Sequence, residues 1–312
     1  MSLFLVTGGA GFIGSNIVEE LVKRGEKVRV IDNFSTGRRE NLSAFLEHIE
    51  LVEGDLRDIN RVKDAVSGVD YILHLAALPS VPRSVRNPIA SNEVNVSGTI
   101  NILTAAKDAS VKRVIYSSSS SIYGDTPALP KNETMAPNPL SPYAVSKLAG
   151  EYYCRVFYSV YGLETVCLRY FNIFGPRQDP ASQYAAVIPL FINALHYGER
   201  PTIFGDGSQS RDFTYVANAV QANLLAVRAL QVPGSVFNIA CGKRYSLNEV
   251  VEKLNRIMET RIEPIHKEPR IGEVKHSLAD ISLARQFLSY EPIISFEEGL
   301  IRAVAWHTKA SR

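Results

Sequence analysis

The chain is poor in the features that would mark a secreted, metal-binding or nucleic-acid-binding protein. Its three cysteines, Cys154, Cys167 and Cys241, are odd in number, widely spaced and without a C-x-x-C pair. That argues against a disulfide framework and a thiolate metal site and fits reduced thiols, so no metal is expected. Lysine plus arginine (34) and aspartate plus glutamate (32) nearly cancel, for a formal charge of +2. With no basic tract of the kind phosphate backbones select, nucleic acid is not an expected partner. No apolar run is long enough to cross a bilayer, and Ser2-Leu3-Phe4-Leu5-Val6 opens the chain without a basic leader. A cytoplasmic location without membrane partners is the expectation. Internal repeats and low-complexity segments are missing too. What the chain does have is 46% hydrophobic residues over 312 positions, enough for a large core.

The N-terminal half alternates short apolar runs with longer amphipathic ones, the pattern of repeated βαβ units and a parallel sheet. Strands are expected near 3–7, 27–32, 49–53, 70–74, 112–117 and 163–170. Helices are expected near 12–24, 58–67, 89–109 and 141–161, with Asp58 and Ser141 as N-caps and Pro142 in the first turn. The strands lack strict alternation, as expected where both faces are covered. Gly, Pro and Gln gather in Gly175-Pro176-Arg177-Gln178-Asp179-Pro180, which places a domain change near 175. The reading is a Rossmann-type doubly wound α/β domain over 1–175 and a smaller mixed α/β lobe over 176–312. A helix from Val216 to Leu230 and a strand from Ser235 to Ala240 would rejoin the first sheet. Helices near 246–258, 281–288 and 296–308 would complete the lobe.

Val6-Thr7-Gly8-Gly9-Ala10-Gly11-Phe12-Ile13-Gly14 follows the first strand and opens the first helix. Glycines there let the chain turn tightly, bring backbone N–H groups to a pyrophosphate and pack helix on strand. The helix N-terminus favours the diphosphate's charge. The second strand ends in Asp32, whose carboxylate can accept both adenosine ribose hydroxyls and repels a 2′-phosphate. NAD is therefore expected, with Arg38-Arg39 leaving NADP as the alternative.

Tyr143-Ala144-Val145-Ser146-Lys147 places a phenol and an ammonium four residues apart, on one face of a helix. A neighbouring ammonium favours phenolate, which would bring the phenol from about 10 toward neutrality, where it acts as acid and base. The serine run Ser117 to Ser121 supplies hydroxyls at a strand end. His74, in an apolar strand, reads as a hydrogen-bonded core residue, and Trp306 and Tyr152-Tyr153 as packing residues.

Taken together, the glycine turn, Asp55-Leu56, Leu75-Ala76-Ala77, Asn95, the serine run, Tyr143/Lys147 and Arg169-Tyr170-Phe171-Asn172 resemble the extended short-chain dehydrogenase/reductases over nearly the whole chain. The resemblance implies that NAD is held by Gly8, Gly11, Phe12, Ile13, Gly14, Asp32 and Asn33. It puts Asp55 and Leu56 at the adenine and Ala76 at the diphosphate, with Leu75 and Ala77 also among the cofactor residues. Asn95, Ser117, Tyr143, Lys147 and Tyr170 complete the set, Asn95 usually being structural and Lys147 also holding the nicotinamide ribose. The C-terminal motifs resemble those of UDP-sugar 4-epimerases, which implies that Asn172, Ala186, Val187, Arg211 and Arg270 hold UDP. Two arginines suit a diphosphate.

Ser80-Val81-Pro82-Arg83-Ser84, Arg177-Gln178-Asp179-Pro180, Tyr184-Ala185-Ala186-Val187-Ile188-Pro189 and His276-Ser277-Leu278-Ala279-Asp280 resemble the branch acting on N-acetylated sugars. There Ser277 replaces a tyrosine that would crowd the 2-acetamido group. The implied chemistry is 4-epimerisation through a transient 4-keto sugar, with Ser119, Tyr143 and Lys147 catalytic and Ser121 the next candidate hydroxyl at the sugar. Positions 120 and 121, where related dehydratases and decarboxylases carry an acid, are serines; those chemistries, a uronic acid epimerase and a non-catalytic binding protein are the alternatives. The resemblance further implies a homodimer through the helices near 89–109 and 141–161.

Overall fold

The computed structural model describes residues 1–180, 186–269 and 275–310. Six strands of the first half form in order: β1 (Leu3–Thr7), β2 (Lys27–Asp32), β3 (Ile49–Glu53), β4 (Tyr71–His74), β5 (Arg113–Ser119) and β6 (Glu164–Tyr170). Between them run α1 (Phe12–Lys23), α2 (Ile59–Val66), the short α3 (Val81–Arg86) and α4 (Pro88–Asn92), α5 (Gly98–Asp108) and α6 (Pro142–Tyr161). Asp58 accepts the N–H groups of Asn60 and Arg61, Ser141 accepts that of Ala144, and Pro142 occupies the first turn of α6, so both expected caps form. The expected helix 89–109 divides into α4, a π-helical stretch over Glu93–Ser97, and α5. A 3₁₀ helix over Arg39–His48 is absent from the sequence-based reading.

Beyond 170 come β7 (Ile173–Phe174), α7 (Val187–His196), β8 (Thr202–Phe204), β9 (Ser210–Arg211) and β10 (Thr214–Tyr215). They are followed by α8 (Val216–Arg228), β11 (Ser235–Ile239), β12 (Tyr245–Ser246), α9 (Leu247–Ile257), β13 (Ile265–Lys267), α10 (Ser282–Leu288) and α11 (Phe296–Ala310). β11 rejoins the first sheet, as expected from its sequence.

The seven-stranded sheet runs in the order β11-β6-β5-β4-β1-β2-β3, parallel throughout. The chain steps outward from β1 to β3, then restarts at β4 and steps the other way. That reversal is the switch point where doubly wound sheets open a crevice for ligands at their carboxyl ends. Alternate residues of β1 serve different layers: Phe4 and Val6 pack with Ile17, Val18 and Leu21 of α1, whereas Leu5 packs with Val62 of α2 and Leu103 of α5. Both faces being covered, β1 and β4 at the centre of the sheet read as apolar runs.

His74 is a core residue, as its apolar strand predicts. Its Nδ1 lies 2.7 Å from Thr7 Oγ1 and its Nε2 2.9 Å from Thr99 Oγ1, and burial pushes its pKa down to about 3. Thr7 Oγ1 also accepts the N–H groups of Leu75 and Ala76, both at 3.1 Å. The neutral histidine thus fixes the backbone that faces the glycine turn.

The small and apolar stripe near Val94–Ala109 is spent in part within the chain. Ile102, Leu103, Ala105 and Ala106 are buried within this chain, in the core layer shared with α2. The exposed apolar face belongs to α6, with Val145, Tyr152, Tyr153, Val156 and Val160, and to Val85 and Ile89 of α3 and α4.

Candidate active site

A cleft of about 630 Å³ opens at the switch point. Gly8, Gly11, Phe12, Ile13 and Gly14 line it, with Asp32, Asn33, Asp55, Leu56, Leu75, Ala76, Ala77, Ser117, Tyr143, Lys147 and Tyr170. The expected cofactor residues therefore converge, with one exception. Asn95 does not line the cleft. Its Oδ1 accepts the Leu78 N–H at 2.7 Å, and its Nδ2 donates to the Leu78 carbonyl and to Ser146 Oγ at 3.2 and 3.0 Å. The amide braces the cleft wall against α6 instead of facing a ligand.

Two glycines show why the cradle admits a dinucleotide. At Gly8, with φ +69°, a Cβ would stand 2.8 Å from the Ala76 backbone; at Gly14 it would stand 2.2 Å from the Gly8 carbonyl oxygen. Neither position accepts a side chain, so the turn stays tight beneath an α1 N-terminus that no side chain caps. Asp32 receives one backbone N–H on each oxygen, from Ala10 at 2.9 Å and from Phe34 at 2.8 Å, which leaves each a lone pair for a ribose hydroxyl. Burial raises its pKa, opposed by those two bonds. Arg38 pairs with Asp179 and Arg39 with Glu53, so carboxylates already engage both arginines that left NADP as an alternative. Asn33 donates to Asp55 at 2.8 Å, and Arg57 holds the Asp55 carboxyl well below the usual range. The residues present fit NAD.

Ser119, last in β5, does not itself line the cleft, but its hydroxyl favours the ionised form of the Tyr143 phenol, which does. Lys147 Nζ donates to the Ser117 carbonyl at 2.7 Å and lies 5.0 Å from the Tyr116 ring centroid. Burial acts against the expected electrostatics. Burial raises the Tyr143 pKa, and the group acting against burial is Ser119, not the ammonium. Lys147 is itself pushed down by burial, to about 8. Two buried groups compete with desolvation, so the lysine alone does not bring the phenol toward neutrality. Ser121 stands one step back: its N–H donates to Ser119 Oγ at 3.2 Å, while its buried hydroxyl has no hydrogen-bond partner among the described residues. Tyr170 receives a bond from Asn223 at 2.6 Å, which orients its ring along the cleft.

The depressed Lys147 pKa has a measurable consequence. Between about 8 and the ordinary 10.5, the unfolded chain still carries a proton that the folded chain has released. Folding stability contributed by this group therefore rises with pH across that window. In cofactor-free protein, the thermal midpoint of the wild type relative to Lys147→Met should climb from pH 8 to 10.5; a flat difference contradicts this placement of the charge.

A second cavity of about 270 Å³ adjoins the first, and Ala186 lines both. Asn172, Val187 and Arg211 also line it, with an apolar wall that includes Phe174, Phe191, Phe204 and Phe213. Asn172 adopts φ +39°, which asparagine tolerates, and its amide donates to the Asp212 carbonyl at 3.0 Å. The Arg211 guanidinium is steadied by the Ser210 and Lys275 carbonyls, both at 3.0 Å. Asp212, which the sequence did not single out, anchors this strand from behind. Its carboxylate accepts N–H groups from Cys241, Gly242 and Ala279 at 3.0, 3.0 and 3.2 Å, and burial pushes its pKa up to about 7.

Arg270, Tyr184 and Ala185 lie outside the described residues. Ser277 lines neither cavity; its N–H donates to the Ser210 carbonyl at 2.9 Å, beside Arg211. Among the described residues no cluster of His, Cys, Asp and Glu could hold a metal ion, and no helix is long and apolar enough to cross a membrane.

Comparison with known proteins agrees with this geometry. The model of the NAD dependent epimerase/dehydratase family matches residues 4–240. The chain is 39% identical to a putative UDP-glucose 4-epimerase of Methanocaldococcus jannaschii, over 99% of this chain and 100% of that protein. It superposes with a TM-score of 0.95 on a UDP-N-acetylglucosamine 4-epimerase of Methanobrevibacter ruminantium in complex with UDP-N-acetylmuramic acid, at 43% identity and 99% coverage of both chains. A UDP-glucose 4-epimerase of Thermotoga maritima with UDP-glucose also gives 0.95, at 38% identity, covering 99% of this chain and 100% of that one.

Proposed function

This chain belongs to the NAD-dependent epimerase/dehydratase family, among its UDP-sugar 4-epimerases, and we propose that it interconverts UDP-N-acetylglucosamine and UDP-N-acetylgalactosamine while also accepting UDP-glucose and UDP-galactose. The observation that carries the reading is the convergence of Tyr143 and Lys147 in a dinucleotide cleft that shares Ala186 with an arginine-bearing second cavity. NAD, when bound, supplies the hydride acceptor and donor for C4 of the hexose and a positive ring charge that favours phenolate.

The chain's own residues do the rest. Tyr143 takes the proton of the sugar 4-hydroxyl and returns it, with Ser119 hydrogen-bonded to the same hydroxyl. Lys147, anchored on the Ser117 carbonyl, holds a nicotinamide ribose and adds positive charge near the phenol. Arg211, Asn172 and the α7 N-terminus at Ala186 and Val187 hold UDP in the second cavity, joined by Arg270. Firm anchoring of the nucleotide and loose anchoring of the sugar let the 4-keto sugar turn over before it is reduced on its other face. Because C4 is both oxidised and reduced in each cycle, NAD is not consumed. The pocket preference rests on Ser277, whose small side chain leaves room for a 2-acetamido group. Incubating purified protein with UDP-N-acetylglucosamine, and separately with UDP-glucose, followed by chromatographic separation of the 4-epimers, tests the proposal. Turnover of UDP-glucose alone would overturn the N-acetyl preference.

We also propose that the chain pairs with a second copy through the exposed face of α6. Val145, Tyr152, Val156 and Val160 recur on one side of that helix, next to Val85 and Ile89. A stripe at this spacing matches the self-complementary patch that a two-fold dimer needs. Sedimentation of the wild type as a dimer and of Tyr152→Lys/Val156→Glu as a folded monomer is the expected result; a monomeric wild type contradicts it.

A further inference from the structure

The six residues Gly175–Pro180 look like a linker by composition, yet they are tied to two elements beside the cofactor cleft. On the α1 side, Asn16 Nδ2 donates to the Pro176 carbonyl at 3.2 Å, Arg177 pairs with Glu19, and the Arg177 guanidinium lies 5.6 Å from the Phe45 ring centroid. On the β2 side, Arg38 pairs with Asp179 at 2.5 Å, while the Arg38 N–H donates to the Ala10 carbonyl of the glycine turn at 3.0 Å. Between these anchors Gln178 and Asp179 line the cleft itself. Gln178 Nε2 reaches back to the Ile173 carbonyl at 3.3 Å. Arg177 sits at φ +67°, a left-handed conformation that costs a non-glycine residue energy and persists where the surroundings over-determine it.

We propose that residues 175–180 are part of the cofactor site, a strap over the dinucleotide beside the glycine turn, with Arg38–Asp179 and Arg177–Glu19 as its two latches. Its purpose rests on the epimerase reading. A sugar oxidised at C4 is completed only if the cofactor that accepted its hydride stays until the sugar has turned, so retention is worth more here than in an enzyme that exchanges cofactor each cycle. A groove open on one side would not supply it. Strands and helices position the dinucleotide from below; the strap blocks its exit, and leaving requires both latches to open. The latch pairs are partly exposed, with side-chain accessibilities of 54% and 30% for Arg38 and Asp179 and 17% and 27% for Arg177 and Glu19. Each pair is modest alone and is screened by salt, so the strap opens without a large barrier when cofactor must load.

The test reads NAD release from the loaded protein, with no sugar present. Holoprotein is mixed with a large excess of an NAD-consuming trap, alcohol dehydrogenase with ethanol, and the NADH it forms is followed by absorbance. Arg38→Asp should release NAD about tenfold faster than wild type, the change that about 1.4 kcal/mol produces. Arg38→Asp/Asp179→Arg, which restores the pair with reversed polarity and the original net charge, should return the rate to within about twofold of wild type. Added salt should speed release from wild type more than from Arg38→Asp. Release from Arg38→Asp at the wild-type rate, or a swapped pair as leaky as the single variant, would overturn the strap. Failure of the epimerase reading would show separately, as absent turnover with the release rates unchanged.

Discussion

Tyr143→Phe is expected to lower kcat by about 10²- to 10⁴-fold, the range that a positioned acid and base contributes, while leaving NAD bound and the thermal midpoint within a degree or two of wild type. The substitution removes one oxygen. The hydroxyl that favours its ionised form, that of Ser119, receives the Ser121 N–H and so keeps a place in the turn after β5. The ring stays in the wall of the cleft, α6 keeps its Ser141 cap, and the glycine turn, Asp32 and Lys147 are untouched. What goes is the group that accepts and returns the sugar's proton. Turnover equal to wild type, with NAD content equal, would remove Tyr143 from the mechanism. Ser119→Ala should fall less, because it deletes a hydrogen bond to the reacting hydroxyl and to the phenol but leaves the phenol in place.

Ser277→Tyr is expected to change which sugars are used more than how well the protein folds. The segment carrying Ser277 is pinned on both sides: Ser277 N–H to the Ser210 carbonyl at 2.9 Å, Lys131 N–H to the Leu278 carbonyl at 2.7 Å, and Asp280 N–H to the Lys131 carbonyl at 2.8 Å. Ala279 N–H adds a bond to Asp212. A backbone held at four successive positions does not swing away to hide a larger side chain. A tyrosine must project from it, and the strand beside it ends in Arg211, which lines the second cavity. The expected result is a loss of kcat/KM on UDP-N-acetylglucosamine by more than about tenfold, on the scale of one to three kcal/mol of overpacking, with UDP-glucose turned over at near wild-type efficiency. Equal losses on both substrates would show that position 277 does not discriminate the acetamido group.

The sheet was legible because its central strands, such as β1 and β4, are covered on both faces and read as apolar runs, and because Ser141, Asp58 and Pro142 announce their helices in a few residues. Alignment of Gly8, Gly14, Asp32 and Tyr143 around one cleft followed from the same locality: each sits at the end of a strand or the start of a helix that the pattern fixes. What stayed hidden depends on partners far along the chain. The strap reads as linker because nothing within Gly175–Pro180 reveals that Glu19 and Arg38 hold it. Asp212 gains its meaning from the N–H groups of Cys241, Gly242 and Ala279. The burial of α5 could not be separated from a spare apolar surface until α2 was placed against it. The Tyr143–Lys147 spacing puts both groups on the cleft, while the burial that raises the phenol and lowers the ammonium is not written in the spacing.

The measurement that bears most directly on the account uses UDP-N-acetylglucosamine carrying deuterium at C4. If C4 gives up a hydride and receives the same one back while Tyr143 handles only the hydroxyl proton, the UDP-N-acetylgalactosamine formed retains its deuterium in unlabelled water, and mass spectrometry finds no washout in either epimer. Epimer that has exchanged its deuterium for solvent hydrogen would mean that C4 loses a proton instead, and would contradict the roles assigned to NAD, Ser119 and Tyr143.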